Sequence, residues 1–439
     1  MNRRTTLLYA AMAAVLLSVA LLQSWQLALT IVNLCLISAV MALGVNVQWG
    51  VAGMFNVGTM GSAAIGGLAV VLVSAPPVRA AWAAGGAGLL ASAAILVLTA
   101  GVALAFWRWF GSRPLLRGGA VAAVLFSGFL LAQQWFLPAT AAIEAVDAAS
   151  AGYLGGLGLP VALSWLIGGV FAGLLAWPVG RLTAGLRSDY LAVATFGISE
   201  IVLAVVRNEE WLARGVKNVT GLPRPVPYES DLQSADGVQT LALWLGLPLR
   251  DLASILVKLA YTAWFLAVLG IIFWLLERLG RAPWGRMMRA IRDNEEAARA
   301  MGKDVARRHL QAFVLGSAIV GIGGAMLVTL DGQFTAGAYQ PLRYTFLIWV
   351  MVIIGGAGNH RGAVYGAFLI WFVWVQAETA GLWLASAATA LLAPGNPLRA
   401  AFEQSPAQLR YVVMGLILVF VMRFAPRGLI PEATPEHQK

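Results

Sequence analysis

The chain has 439 residues, of which 60% are hydrophobic and only 11% are charged, and its mean hydropathy is +0.78. Soluble domains carry about 25% charged residues, so this composition excludes an ordinary soluble protein. The formal net charge of +10 does not indicate nucleic-acid binding, because the basic residues lie in short clusters between apolar stretches, as in loops that face an anionic leaflet. We therefore expect a protein that contacts membrane lipid and no nucleic acid.

About twelve stretches are apolar enough to cross a bilayer as helices, which takes about 20 residues each. The first follows Met1-Asn-Arg-Arg and has the shape of a signal peptide, but a second apolar run starts within a few residues, so we expect an uncleaved span. The sequence predicts an all-α, polytopic integral membrane protein of about 10–12 transmembrane helices in a single domain, 1–439. The short segment 343–357 is a candidate re-entrant segment. The predicted spans are 7–23, 26–47, 54–74, 81–107, 119–138, 160–180, 189–206, 253–279, 310–330, 343–357, 362–386 and 408–424.

Positive charge falls on alternate sides of these spans, as the positive-inside rule requires. Eight basic residues lie between Arg281 and Arg308, whereas the long segment 207–252 has five basic and six acidic residues. The pattern predicts that both termini are cytoplasmic and that 207–252 is a periplasmic loop. The other residues assigned to the inner side are Arg3, Arg4, Arg108, Arg113, Arg117, Arg181, Arg187, His360, Arg361, Arg423 and Arg427.

Glycine and other small residues predict where the helices pack and where they break. Small residues four apart mark close helix contacts in membranes, and we interpret four such pairs as packing contacts: Gly169/Gly173, Ser62/Gly66, Gly321/Ala325 and Gly362/Gly366. The runs Gly50–Gly58 and Gly355–Gly362 are denser in glycine, which permits broken helices whose freed backbone groups line a cavity. The single cysteine, Cys35, lies in an apolar run and is expected to be a small buried residue.

The longest polar segment on the predicted inner side, 280–309, carries the clearest helix signals in the chain. Asp293 is a suitable N-cap, and Glu296, three residues later, is placed to complete a capping box. Gly302 ends this helix, and Lys303 favours its negative end. The segment therefore predicts a short helix of about two turns.

One face of this short helix is apolar. Ala297, Ala300 and Met301 share that face at helical spacing and leave a small apolar surface exposed to water. The residues alone leave two interpretations open, which are insertion into a groove of another protein and an amphipathic helix at the lipid surface.

The same segment resembles the EAA signature of ABC importer permeases. Glu296-Ala297-Ala298, three further residues and Gly302 match the signature, whereas its downstream Ile-x-Leu-Pro part is absent. More widely, the chain resembles the LivM-like permease family for branched-chain amino acids over residues 26–74 and 160–430. The motifs that carry this resemblance are Ser188-Asp-Tyr-Leu-Ala-Val-Ala-Thr-Phe-Gly-Ile-Ser-Glu-Ile201, Arg289-Ala-Ile-Arg-Asp-Asn-Glu-Glu-Ala-Ala298, Ile354-Gly-Gly-Ala-Gly358 and Arg423-Phe-Ala-Pro-Arg-Gly-Leu-Ile430.

The resemblance implies an ABC importer permease fold in the bacterial inner membrane, with a cytoplasmic coupling helix that sits in a cleft of an ATPase subunit. It implies a transport subunit rather than an enzyme, importing branched-chain or related small amino acids, with urea or short amides as alternative solutes. The implied partners are a second homologous permease, two ATPase subunits and a periplasmic solute-binding protein. The implied ATPase-coupling residues are Asp293, Glu296, Ala297, Ala298, Met301 and Gly302.

Two segments depart from the family pattern. Residues 75–150 look inserted and add two spans to the family's usual number. The Thr-Gly-Gly-Pro-like segment of the family's outer loop reads Val219-Thr-Gly-Leu-Pro-Arg-Pro225 here, which leaves the solute and the binding protein open.

Ionisable groups at bilayer depth cost at least about 2.5–3.5 kcal/mol to insert, so they normally face a bundle interior, a partner or water. Glu200, in the predicted span 189–206, is the main such residue. Two interpretations are open for it, a hydrogen bond that holds its helix to a neighbour and a role along the translocation path.

Further polar residues have similar alternatives. Asn46 and Asn56, together with Gln48, are candidate amides of the pathway or ordinary interhelical hydrogen-bonding groups; Asp331 and Gln333 either form a solvated helix end or face a vestibule or the binding protein. Glu378 is expected to reach the outer interface. We expect His360 to be solvated in its turn.

The sequence does not favour an ATPase, a self-sufficient transporter or an enzyme. Its only Gly-Lys pair, Gly302-Lys303, is followed by Asp304 and lacks the upstream glycine of a Walker A motif, so we expect no bound cofactor and assign ATP to the partners. A secondary transporter needs coupling carboxylates at broken helices, and Glu200 is nearly alone. A membrane enzyme needs clustered acids or metal ligands, and the acidic cluster Asp293–Glu296 lies beside basic residues without His or Cys, so we expect no metal.

Overall fold

The described part of the chain is almost entirely helical. The computed structural model describes residues 3–109, 114–147, 152–183, 185–340, 344–391 and 408–432. Two strands, β1 (Val219–Thr220) and β2 (Gln333–Phe334), pair antiparallel. The helices are α1 (Arg3–Leu22), α2 (Trp25–Asn46), α3 (Thr59–Ser74), α4 (Arg79–Trp109), α5 (Pro114–Ala145), α6 (Val161–Thr183), α7 (Ser188–Asn208), α8 (Glu210–Ala213), α9 (Glu229–Ser234), α10 (Asp236–Leu245), α11 (Leu249–Arg281), α12 (Pro283–Asp293), α13 (Glu295–Ala300), α14 (Val305–Asp331), α15 (Phe346–Gly355), α16 (His360–Leu391) and α17 (Leu409–Phe424).

Nine of these helices, counted over the described residues, are long and apolar enough to span a membrane. They are α1, α2 with its π-helical continuation Val47–Val51, α4, α5, α6, α7, α11, α14 and α16. The shorter helices α3, α15 and α17 occupy the positions of the other three predicted spans. The prediction of an all-α polytopic membrane protein is therefore confirmed; Arg113, counted above as an inner-side residue, lies outside the described ranges.

Two predicted spans are shorter than expected. The span predicted at 54–74 begins only at Thr59, because the glycine-rich residues 52–58 are not helical. The span predicted at 343–357 contains the ten-residue α15, which is about 15 Å long at 1.5 Å per residue, half of a hydrocarbon core of about 30 Å. The broken helices expected at the first glycine-rich run are present.

The centre of the bundle is α14, which packs against α6, α3 and α2. Close approach at this centre depends on small residues. A Cβ atom added to Gly66 would overlap the backbone of Gly321, and one added to Gly169 would come within 2.8 Å of Ile322 Cγ1. The predicted small-residue contacts therefore lie at real helix interfaces. Cys35, also as expected, is fully buried.

Gly66→Ala is expected to lower the free energy of unfolding by about 1–3 kcal/mol, because the added methyl group forces α3 and α14 apart. Gly101 in α4 is the matched control, since an added Cβ there meets no atom within 4 Å. Thermal unfolding of the purified variants in detergent measures the difference. Gly66→Ala should unfold at a lower temperature than the wild type, and Gly101→Ala should not. Equal midpoints for Gly66→Ala and the wild type would contradict the packing described here.

The connections between helices gather at two ends of the bundle. The end that we call the basic end contains α12 and α13, the π-helical turn after α2, the turn 356–359 and the segment 427–432, which contact one another. The opposite end contains residues 152–160, the segment from α8 to α10, and the β1–β2 pair. The predicted loop 207–252 is thus folded on one end of the protein.

Two helices begin inside the bundle rather than at its ends. α3 runs from Thr59 to the opposite end, and α15 runs from Phe346 to the basic end, where Gly355 contacts Gly362. At their starts, Thr59 Oγ1 donates a hydrogen bond to Thr345 Oγ1 at 3.0 Å, and both threonines are buried. The N-terminal ends of these two short helices therefore meet within the protein.

Helices α4 and α5, within the segment 75–150 that the sequence predicts to be inserted, form a hairpin at the edge of the bundle. They pack mainly against each other, with Gly128 against Thr99 and Gly88 against Ala139. Most of their apolar side chains are exposed. Such exposed apolar side chains are typical of helices that face lipid.

Candidate functional site

The short helix expected in 280–309 is present as α13, but its N-cap is Asn294. The Asn294 side chain accepts a hydrogen bond from the Ala297 N–H at 2.9 Å. The prediction of Asp293 as the cap is wrong, because Asp293 is the last residue of α12. With Asn294 as the cap, the third helical residue is Ala297, so the predicted capping box with Glu296 does not form. Asp and Asn cap helices equally well, and the sequence signal missed the boundary by one residue.

The predicted end of α13 at Gly302 is confirmed. Gly302 has φ +74°, and its N–H donates to the Arg299 carbonyl at 3.0 Å. The Lys303 N–H donates to the Ala298 carbonyl at 3.2 Å, which completes a Schellman motif. Both ends of the short helix are therefore fixed by hydrogen bonds.

The apolar face of α13 is exposed, as predicted. Ala297, Ala300 and Met301 are exposed, with Met301 at 78%, while Ala298 is buried against the bundle. On the opposite side of the helix, Arg299 pairs with Glu295. A small apolar surface with a methionine therefore projects from a basic end rich in arginine.

A second polar constellation lies where α2 breaks. The Gln48 amide donates to the Phe313 carbonyl at 2.9 Å and to Ser317 Oγ at 3.0 Å. Its oxygen accepts from Asn56 Nδ2 at 2.9 Å, and Asn56 Oδ1 accepts from the Gly58 N–H at 2.9 Å. Both amides are buried. We call these four residues (Gln48, Asn56, Phe313 and Ser317) the amide network; it holds the non-helical stretch 52–58 against α14.

Hydroxyl groups of α7 hold the start of α3. Ser199 Oγ accepts a hydrogen bond from the Gly61 N–H at 2.8 Å, and Thr195 Oγ1 accepts one from the Val57 N–H at 3.2 Å. These N–H groups belong to the first turn of a helix and the chain before it, where no intrahelical acceptor is present. Together with Asn56, the two hydroxyl residues line a cleft between α3, α6, α7 and α14.

Glu200 follows Ser199 along α7 but lies on a different face. Its side chain is half-buried, and it makes no hydrogen bond or ion pair with any residue that the structure describes. The surrounding face of α7 is open, because Val193 and Ile201 are 73% and 64% exposed and Gly197 has no neighbour within 4 Å of a built Cβ. The interhelical hydrogen bond, one of the two interpretations of Glu200, is thus not formed with the described chain.

Asn46 makes interhelical hydrogen bonds, which is one of the two interpretations given for it above. Its amide nitrogen lies 3.0 Å from His360 Nδ1, and its oxygen accepts from the Gly358 N–H at 2.9 Å, so it joins α2 to the turn before α16. The prediction that His360 is solvated is wrong, because its side chain is only 8% exposed. The turn folds back onto α2, so the imidazole is packed between helices instead of facing water.

Asp331 and Gln333 lie at the opposite end of the bundle, and both are exposed. Asp331 is the last residue of α14, and Gln333 pairs with Thr220 in the β1–β2 sheet. Their positions are those of a solvated helix end, and no described contact assigns them a role in transport. Glu378 in α16 pairs with Arg410 at 2.8 Å and links α16 to α17.

Comparison with known proteins identifies the family. The family described as "Branched-chain amino acid transport system / permease component" matches residues 110–422, well over half of the chain. The chain belongs to this permease family. The resemblance inferred from the sequence motifs is therefore confirmed.

Similar proteins with curated names include two LivM permeases. The probable branched-chain amino acid transport permease protein LivM of Methanocaldococcus jannaschii is 31% identical over 173 residues, which are 39% of this chain and 46% of that protein. The high-affinity branched-chain amino acid transport system permease protein LivM of Escherichia coli is 26% identical over 253 residues, 57% of this chain and 52% of that protein. A third relative, the fructose import permease protein FrcC of Rhizobium meliloti, is 28% identical over 96 residues, 21% of this chain and 27% of that protein.

The chain spans about half the length of the two LivM relatives that it matches. No solved structure matches it. Membership of the permease family rests on the family match, and the multi-pass membrane architecture rests on the long apolar helices.

Sequence reasoning missed several residues that organise these sites. Arg292, which joins three segments at the basic end, stands inside the Arg289–Ala298 motif but has no local pattern that marks its partners. Thr195 and Ser199 are four residues apart in α7, so they share one face, and this spacing was the available signal for a polar stripe.

Proposed function

We propose that this chain is the membrane-embedded permease subunit of an ATP-driven importer for branched-chain or related small amino acids. In this proposal two ATPase subunits dock on the basic end, and a second homologous permease completes the translocation path. A periplasmic binding protein delivers the solute to the opposite end. The assembly lies in the bacterial inner membrane, with both termini of this chain in the cytoplasm.

The observation that carries the proposal is the exposed apolar face of α13. A helix fixed at both ends that presents two alanines and a 78% exposed methionine suits a groove on another protein. The alternative, a helix lying at the lipid surface, is less well supported, because the exposed apolar surface is limited to three side chains and lipid binding scales with buried apolar area. ATP hydrolysis is assigned to the docked subunits, so this chain acts as a transporter and not as an enzyme.

The open face of α7 supports a partner in the membrane. Glu200 lies within a span and has no partner among the described residues. Because an isolated carboxylate in lipid is costly, its face is better suited to a water-filled path shared with a second permease than to acyl chains. The cleft that contains Asn56 lies on the other side of α7, between this helix and α3, α6 and α14.

The solute class is inferred from the named relatives, of which two carry branched-chain amino acids in their names and one carries fructose. Urea and short amides are the alternative solutes. Uptake competition by leucine, isoleucine, valine, urea, acetamide and fructose distinguishes these classes. Inhibition by the branched-chain amino acids alone is the expected result.

Reconstitution tests the proposal. The purified chain is placed in liposomes alone, and together with the second permease, the ATPases, ATP and the binding protein encoded with it. We expect uptake of radiolabelled leucine only in the complete system, and none with a non-hydrolysable ATP analogue. Uptake by this chain alone would mean a self-sufficient transporter and would overturn the proposal.

A further inference from the structure

Arg292 joins three separate segments at the basic end. It lies in the last turn of α12, where its Nη1 donates a hydrogen bond to the Gly50 carbonyl in the π-helical turn after α2. Its Nη2 pairs with Glu432 Oε2 at 2.9 Å, and its Nε lies 3.3 Å from Asp293 Oδ1. The arginine and Glu432 side chains are 24% and 26% exposed, so this pair is more shielded than an ordinary surface ion pair.

Glycines on both sides leave room for the guanidinium. A Cβ added to Gly358 would come within 2.9 Å of Arg292 Nη1 and 2.6 Å of Glu432 Oε2. A Cβ added to Gly53 would come within 3.2 Å of Arg292 Cγ. Both glycines also have positive φ, +84° and +75°, which side chains rarely adopt. The two glycine-rich runs of the sequence, Gly50–Gly58 and Gly355–Gly362, therefore pack on either side of the Arg292 side chain.

The contact connects the exposed helix with the interior. Arg292 precedes the first residue of α13 by three positions, and Gly50 follows Gln48 of the amide network by two positions in the same π-helical turn. π-Helical turns are uncommon and occur often at functional sites. A displacement of α13 therefore has a short, hydrogen-bonded route to the amide network and to the start of α3.

We propose that Arg292 is a positioning residue that transmits movement of the ATPase-docked α13 through the Gly50 carbonyl to the broken end of α2, while Glu432 holds the guanidinium in place. This inference rests on the proposed function, because it assumes that an ATPase docks on α13. Arginine suits the role, since its planar fork makes several directed hydrogen bonds at once, whereas lysine is a single point charge.

The test measures coupling in the complete reconstituted transporter, as solute taken up per ATP hydrolysed. Arg292→Gln should retain the ATPase during purification and hydrolyse ATP, but its uptake per ATP should fall about tenfold, equivalent to about 1.4 kcal/mol. Arg292→Lys should recover part of this loss. Glu432→Gln, a change in the chain after the last helix, should lower the same ratio less, because the bond to Gly50 remains.

Arg281→Gln is the matched control. Arg281 also pairs with a carboxylate, Glu277 at 3.0 Å, but within one helix and with a side chain that is 78% exposed. Its uptake per ATP should equal that of the wild type. If uptake per ATP equals that of the wild type in both Arg292→Gln and Glu432→Gln, the role of Arg292 is overturned and the proposed function is not. The same holds if Arg292→Gln loses folded protein, ATPase binding and uptake in parallel, because Arg292 would then have a purely structural role. Uptake by the wild type without an ATPase would overturn the proposed function as well, so the two failures are distinguishable.

Discussion

Ala297→Glu is expected to abolish co-purification of the ATPase while the chain stays in the membrane. The substitution places a carboxylate in the centre of the exposed apolar face of α13, and burying an unpaired charge against a protein groove costs several kcal/mol. A loss of about 3 kcal/mol corresponds to more than a hundredfold in affinity. Affinity purification of the tagged permease from detergent-solubilised membranes, followed by quantification of the bound ATPase, measures the effect.

Arg299→Gln is the matched control for this prediction. It changes the net charge by the same amount and in the same direction, but it lies on the opposite side of α13 and is already exposed. Its ATPase retention should match that of the wild type. Gly302→Pro should act like Ala297→Glu, because proline cannot adopt the φ of +74° and removes the N–H that bonds to Arg299. Normal ATPase retention in both Ala297→Glu and Gly302→Pro would contradict docking through α13.

Glu200→Leu is expected to reduce solute uptake at least tenfold while the stability of the protein and its binding of the ATPase are retained. The carboxylate has no partner in the described chain, so its removal breaks no internal contact, but it removes a charge from the open face of α7 within the span. A tenfold effect corresponds to about 1.4 kcal/mol. Initial rates of uptake in the reconstituted system and the thermal midpoint in detergent are the two measurements.

Glu378→Gln provides the opposite control. That carboxylate also lies within a span, but it is paired with Arg410 and joins two helices. We expect a lower thermal midpoint and unchanged uptake per folded molecule. The other interpretation of Glu200, a hydrogen bond to a neighbouring helix, predicts a different result. If that helix belongs to the second permease, Glu200→Leu should lose this subunit during purification. Unchanged uptake in Glu200→Leu would exclude a role in the path.

The spans were predictable because the bilayer demands about 20 apolar residues per helix and makes the signal strong. The stretch 81–107 predicted one helix, and α4 extends from Arg79 to Trp109. The first residues of α3 and α15 were harder to predict. Both helices begin inside the bundle at buried threonines, where no change from apolar to polar sequence marks the boundary.

Contacts between distant residues were beyond the sequence. His360 was expected in solvent, but it is buried and contacts Asn46, 314 positions away. Arg292 bonds to Gly50, 242 positions away, and no local pattern encodes that pairing. At α13, by contrast, the sequence predicted the exposed face and the end of the helix, because both depend on neighbouring residues, and the cap was misplaced only because two good capping residues are adjacent.

The exposed apolar side chains of the α4–α5 hairpin suit lipid better than water. In water, side chains such as Val97, Leu98, Leu104 and Phe126, each more than 60% exposed, would make a surface prone to aggregation. Acyl chains are as apolar as leucine, so in a bilayer these positions tolerate exchange among apolar residues with little effect on stability. A hairpin in this position would widen the perimeter of the protein in contact with lipid, and we expect exchanges among its apolar residues to be tolerated except at the small residues where its two helices touch.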